Sequence, residues 1–286
     1  MYNLIYKKII IIKLMINTLI LSGGSSKGIA YIGIFQSLFY NNIINIDNIK
    51  YIISCSAGSI FSLILCLNYN LNIIKKIFIN FNHANLFDLN NLDDLFSNNG
   101  LFDINKLKLF IQLLLYHKFN TYNISLIDLY KKTNIKLIIK VYNYSKKKNQ
   151  YISYINHPNM NIIDLICMSC SIPFIFKYYQ YNNQIYIDGG ITGNLPILKN
   201  KKYKKYLAIN LNESTIHNKL NILSYIQNIF NIRFSNKSKQ NNRILNYDIN
   251  LDFYNFDISI LDKLNIIHNS YNITNKYIKS KNLNKL

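Results

Sequence analysis

Tryptophan is absent from this 286-residue chain, proline occurs three times, and 13 acidic residues face 33 Lys and Arg. Charged residues of both signs amount to 16%, too few for a charged coiled coil, and 50% apolar residues exclude a disordered tail. Four cysteines (Cys55, Cys66, Cys167, Cys170) do not make a disulfide framework. Cys167 and Cys170 have the spacing of half a zinc site. No second pair or close His completes it, so they read as buried small residues. A long apolar run is missing as well. The stretch Ile9 to Leu21 is interrupted by Lys13 and Asn17 and ended by Gly23-Gly24, too short and too polar for a transmembrane segment. No small-residue cleavage site follows it, and a reduced, cytoplasmic protein is expected.

What is abundant is Ile, with 54 residues, and Asn, with 47. Both have AT-rich codons, so coding bias accounts for them as well as any structural demand does. The formal net charge of +20 favours anionic partners: nucleic acid, acidic lipid surfaces or phosphorylated substrates. The basic clusters Lys146-Lys147-Lys148, Lys201-Lys202 with Lys204-Lys205, and the tail around Lys276, Lys279, Lys281 and Lys285 carry no finger or homeodomain pattern. They read as solvated turns and helix ends, and no nucleic-acid partner is expected.

Along the chain, strand-turn-helix units dominate. Met15 to Leu21 reads as a buried strand, and Ile29, Ile32, Phe35 and Leu38 then have helical spacing. Ile49 to Ile53 is a second strand, followed by a turn and a helix through Ile60, Leu63, Ile64 and Leu67. Serial units of this kind predict a parallel sheet with covering helices. Helices are expected over Lys75 to Phe87, Ile104 to Tyr116, Ser125 to Tyr130, Ile162 to Cys170 and Ile222 to Phe230, with a last one from Ile258. Strands are expected over Lys136 to Tyr144, Gln184 to Ile187, Tyr206 to Leu211 and Ile249 to Phe256, with Tyr151 to Ile155 as a hairpin partner of the first. Without repeats or linkers the chain reads as one domain: an extension (1–15), a core (16–200), and a C-terminal part of the same domain (201–286).

Three turns, each after a strand, can carry chemistry. In Gly23-Gly24-Ser25-Ser26-Lys27-Gly28, glycines at a strand-to-helix turn let backbone N–H groups point at an anion, aided by the helix dipole. A phosphate reading is poor, because Lys27 precedes Gly28 and the P-loop needs the reverse. A dinucleotide fingerprint would need Gly where Ser25 stands, although Asp47 lies near the right distance for its acidic residue. In Ser54-Cys55-Ser56-Ala57-Gly58, small residues surround Ser56 as a nucleophile elbow requires. A plain helix N-cap is the alternative. In Asp188-Gly189-Gly190, followed by Gly193-Asn194-Leu195-Pro196, Asp188 at the end of an adjacent parallel strand can supply a base. Its alternative is a turn Asp.

Together, in this order, the three turns resemble the patatin-like phospholipase family. The first is similar to that family's Gly-Gly-Gly-x-Lys/Arg-Gly with Ser25 for the third Gly, the second to Gly-x-Ser-x-Gly with Ser54 for the first Gly, the third to Asp-Gly-Gly/Ala. Asn99-Gly100-Leu101-Phe102-Asp103, Cys167 to Pro173 and Gly193 to Pro196 also resemble it, over about Thr18 to Leu198. The resemblance implies a three-layer α/β/α fold with a mainly parallel central sheet. It also implies a Ser–Asp dyad that hydrolyses acyl esters of phospholipid or neutral lipid with no metal or other cofactor. Carried over, Ser56 is the nucleophile, Asp188 the base, and the N–H groups of Gly23, Gly24 and Ser25 the oxyanion hole. Lys27 orients that loop, with Gly28, Ala57, Gly58, Gly189 and Gly190 as supporting motif positions. The expected partner is lipid at an anionic membrane surface, with peripheral association. Two other readings stand beside it: a hydrolase triad of Ser56, Asp188 and His217, and a catalytically silent membrane-binding module.

Overall fold

The run Thr18–Leu21 (β1) is buried along its whole length and lies inside an eight-stranded sheet, as apolar strands of parallel sheets do. The computed structural model describes residues 16–80, 100–102, 104–198, 203–213, 243–251 and 258–280. Tyr51–Cys55 (β2) and Tyr206–Glu213 (β9) flank β1 in parallel. Lys136–Asn143 (β4) continues the parallel set beyond β2, and Ile244–Ile249 (β10) continues it beyond β9. Two antiparallel strands, Gln184–Asp188 (β8) and Tyr179–Tyr181 (β7), finish the order β10-β9-β1-β2-β4-β8-β7. Lys148–Ile152 (β5) folds back on β4. Gly100–Phe102 (β3) and Phe174–Phe176 (β6) form a separate parallel pair.

Side chains of the main sheet alternate between two cores, as the period of two requires. Leu19, Leu21, Ile52, Ile139, Val141 and Ile209 share the larger core with residues of the helices. These helices are α1 (Ala30–Tyr40, entered through a 3-10 turn over Ser25–Ile29), α2 (Ala57–Cys66), α3 (Leu71–Asn80), α4 (Asn105–Phe119), α5 (Leu126–Thr133), α6 (Ile162–Cys170) and α7 (Ile260–Ser280). Ile20, Ile53, Ile138, Ala208 and Ile244 point to the opposite face and pack with Tyr203. Ser125 and Asn161 cap α5 and α6 by accepting the backbone N–H of Asp128 and Ile163.

Helix α7 lies against α1 at Gly33. A Cβ there would stand 2.0 Å from the Ile267 carbonyl oxygen and 2.4 Å from Ser270 Oγ. Backbone cannot yield at such a distance. Gly33→Ala is therefore expected to cost about 1–3 kcal/mol by overpacking, seen as a lower melting temperature.

Two expectations are corrected. The strand expected over Ile249 to Phe256 falls mostly outside the described residues, and β10 before it ends at Ile249, with Ile244, Leu245 and Tyr247 buried and Asn246 and Asp248 exposed. The hairpin partner of β4 starts at Lys148, since Asn143 pairs with Lys148 across a four-residue loop. Asp188 ends a strand that is neither adjacent to β2 nor parallel: β4 stands between them, and β8 runs antiparallel to it. The cause is the hairpin turn at Asn182-Asn183, where both residues have positive φ (47° and 56°) and return the chain from β7. The expected extension over 1–15, the helix over Ile222 to Phe230 and His217 lie outside the described residues. No helix among the described residues is long and apolar enough to cross a membrane.

Candidate active site

Ser56 is the hinge between β2 and α2, with φ 50° and ψ −130°. A serine in this region costs roughly 1–2 kcal/mol of backbone strain. An ordinary N-cap has extended backbone and a side chain bonded to its own helix, and Ser56 has neither. The turn is held sharp from several sides. The Ser56 N–H donates to Ser169 Oγ at 2.8 Å, and Ser59 Oγ donates to the Ser56 carbonyl at 2.6 Å. Gly58 lets β1 cross the first turn of α2, since a Cβ there would stand 2.5 Å from the Ser22 carbonyl oxygen. Ser54, where the family pattern has Gly, is fully buried and sets its hydroxyl 3.0 Å from that of Ser62. Its small size and this polar pairing let it replace Gly.

Asp188 comes to the same point from the opposite direction. Because β8 runs antiparallel, its last residue stands opposite Val141, one step beyond Lys140, which is paired with Cys55 at the end of β2. Its carboxylate is buried, accepts the Gly190 N–H at 2.6 Å, and lies beside Ser56. Burial pushes its pKa up from 3.8 to about 6, against the pull of the Ser56 hydroxyl, the Gly190 N–H and the Lys140 ammonium.

The Gly-rich turn faces both. Asn194 clamps it: Nδ2 donates to the Gly23 carbonyl at 3.0 Å, and the Gly23 N–H donates to the Asn194 carbonyl at 3.3 Å. A Cβ on Gly23 would stand 2.9 Å from Ser56 Cβ, which shows how closely the turn approaches the serine. Ser25 adopts φ 48°, the left-handed region open to the glycine it replaces. Lys27 is buried, and its N–H closes the turn on the Gly24 carbonyl at 2.9 Å. Gly28 packs on Ala57, joining the first and second motifs. Cys55, Cys66, Cys167 and Cys170 are all free and buried.

Sequence reasoning missed three parts of this site. Ser169 and Asn194 lie in segments that resembled the family, yet only their hydrogen bonds give them a task. Lys140 sits in the middle of an apolar strand, and a lone buried Lys there was the signal for it.

Fold and site together define a mainly parallel α/β protein with a strained, buried serine facing a buried carboxylate beside a glycine turn. A family model for patatin-like phospholipase matches residues 19–199, and the chain belongs to that family. The probable lipid hydrolase 463L of Invertebrate iridescent virus 6 is 33% identical over 199 residues, 66% of each chain. Uncharacterized protein R571 of Acanthamoeba polyphaga mimivirus is 30% identical over 184 residues, 64% of this chain and 60% of its own. This chain thus matches about two-thirds or less of the length of these relatives. Among solved structures, VipD from Legionella pneumophila is similar with a TM-score of 0.66 at 16% identity, covering 93% of this chain and 67% of its own. ExoU of Pseudomonas aeruginosa, solved with SpcU, gives 0.55 at 12%, covering 93% and 52%. The fold is the three-layer α/β/α patatin-like architecture with a mainly parallel central sheet.

Proposed function

We propose that this protein is a lipid acyl hydrolase of phospholipase A type, with Ser56 as nucleophile and Asp188 as its base. The observation that carries the reading is the strained Ser56 turn, whose side chain makes no bond to its own helix and stands beside the buried Asp188 carboxylate. Ser56 Oγ attacks the ester carbonyl carbon as its proton passes to Asp188. The oxyanion is received by backbone N–H groups of the Gly23-Gly24-Ser25 turn. The ester C–O bond breaks, and the leaving alcohol takes the proton back from Asp188. Water, giving a proton to Asp188, then attacks the acyl-serine. The fatty acid leaves, and Ser56 recovers its proton. No step draws on a metal, and chelators are expected to leave turnover unchanged.

The net charge of +20 favours action at an anionic membrane surface. Exposed Phe174 and Ile197 lie on the segments that also hold Ser171 and Asn194, where apolar contact with lipid would help. High salt is expected to weaken vesicle binding while leaving hydrolysis of a soluble ester unchanged.

Asp188 works as a base only when ionised. kcat/KM is therefore expected to rise with pH through an inflection near 6 and to reach a plateau above it. Hydrolysis of a soluble ester across pH 4.5–9 tests this. An inflection near 4, the range of an unperturbed carboxyl, would contradict the placement of the base.

The decisive experiment is labelling of the folded protein with a fluorophosphonate ester, alongside release of fatty acid from anionic phospholipid vesicles. Labelling and release that both vanish in Ser56→Ala support the reading. Labelling that persists places the nucleophile elsewhere, and a folded protein that binds vesicles without labelling is the silent module. Loss in His217→Ala equal to that in Asp188→Asn would favour the triad.

A further inference from the structure

Lys140 is 3% exposed and lies on β4, the strand that separates the two halves of the site. It is paired with Cys55, the residue before Ser56, and its neighbour Val141 is paired with Asp188. Its Nζ donates to the carbonyls of Gly193 at 2.7 Å and Thr192 at 3.2 Å, just past the Asp188-Gly189-Gly190 turn. Its own carbonyl accepts a hydrogen bond from Ser169 Oγ at 2.8 Å, and Ser169 Oγ in turn accepts the Ser56 N–H. Gly189 presses on it so closely that a Cβ would stand 2.6 Å from the Lys140 oxygen and 3.1 Å from its Cγ.

A buried ammonium is expensive, and Leu or Ile would fill this strand position at lower cost. Two carbonyls alone do not require a full charge. The groups facing Asp188 are Ser56 and Cys55 at the end of β2, Cys170 of α6, the Gly190 N–H and Lys140. Burial drives both thiols far above their ordinary range, so they stay neutral. Lys140 is the cation that answers the carboxylate. We propose that Lys140 is the positioning residue of the dyad: its side chain holds the Asp188 turn and keeps the carboxylate ionised, while its carbonyl, through Ser169, holds the Ser56 turn. The proposal rests on the reading of Ser56 and Asp188 as nucleophile and base.

The test is the second-order rate of fluorophosphonate labelling from pH 4.5 to 9 for the wild type, Lys140→Met and Lys140→Gln. In labelling, the Ser56 Oγ–P bond forms, fluoride leaves and the proton goes to Asp188. The wild type is expected to inflect near pH 6. Both neutral variants should inflect at about pH 7, because losing an opposite charge from a buried site raises a carboxyl by about one pH unit. They then label about fivefold more slowly at pH 6 and nearly as fast as the wild type at pH 9. A folded variant that is slower at every pH, with an unmoved inflection, overturns the proposal and leaves Lys140 a structural residue. A wild type that does not label overturns the dyad reading itself. If neither variant folds, Lys140→Met is placed in the Asp188→Asn background. Recovered folding there supports the charge pairing, and equal failure in both backgrounds overturns it.

Discussion

Ser56→Ala is expected to lower lipid hydrolysis by at least about 10³-fold, leaving what the oxyanion turn and binding supply alone. The fold should survive the change. Ser56 already bears a Cβ in its strained backbone, so Ala adds no new backbone strain at φ 50°. What is lost is a polar neighbour of the buried carboxylate, worth about 1 kcal/mol or less in stability. The measurement is fatty-acid release from vesicles beside a thermal melt. A variant that melts with the wild type yet retains a tenth of its turnover would remove Ser56 from the chemistry.

Asp188→Asn is expected to be as damaging to turnover, also by about 10³-fold or more, and to have the opposite effect on stability. Burial raises the folded pKa from 3.8 to about 6, so the folded state binds the proton more tightly than the unfolded chain. The stability this proton contributes is fully present below about pH 4 and is lost as pH rises through 6. Above pH 6 the ionised carboxylate therefore costs the fold up to about 3 kcal/mol. Asn keeps an acceptor for the Gly190 N–H and removes the charge. At pH 8 the variant should melt at or above the wild type, and by pH 4 the difference should shrink toward zero. A variant that melts well below the wild type at pH 8 would show that the ionised carboxylate supports the fold. It would then not be held there at the fold's expense for catalysis.

The candidate site was the most legible part of this chain because its demands are local. A strained serine turn needs small residues within two positions on either side, and Ser54, Ala57 and Gly58 stand there in sequence. A turn that offers backbone N–H groups needs glycine, and Gly23, Gly24 and Gly28 provide it. The helices over Ala57–Cys66, Asn105–Phe119 and Ile162–Cys170 announce themselves by spacing, since apolar residues three and four apart make one buried stripe. Strand β10 is obscured by Asn246 and Asp248, whose outward side chains resemble a polar loop until β9 is seen beside it.

What the amino-acid sequence offered by itself is the set of candidates: a serine and a carboxylate on turns, and a glycine turn proposed to meet the oxyanion. Only the tertiary structure decided how they meet. The direction of β8 depends on the Asn182-Asn183 turn and on pairing with a strand more than 40 residues earlier, which no local pattern encodes. That direction brings Asp188 across β4 to Ser56 and puts Lys140 between them. Burial of all three in one small volume then raises the carboxyl toward neutrality, because desolvation belongs to the packed site and not to any residue in it.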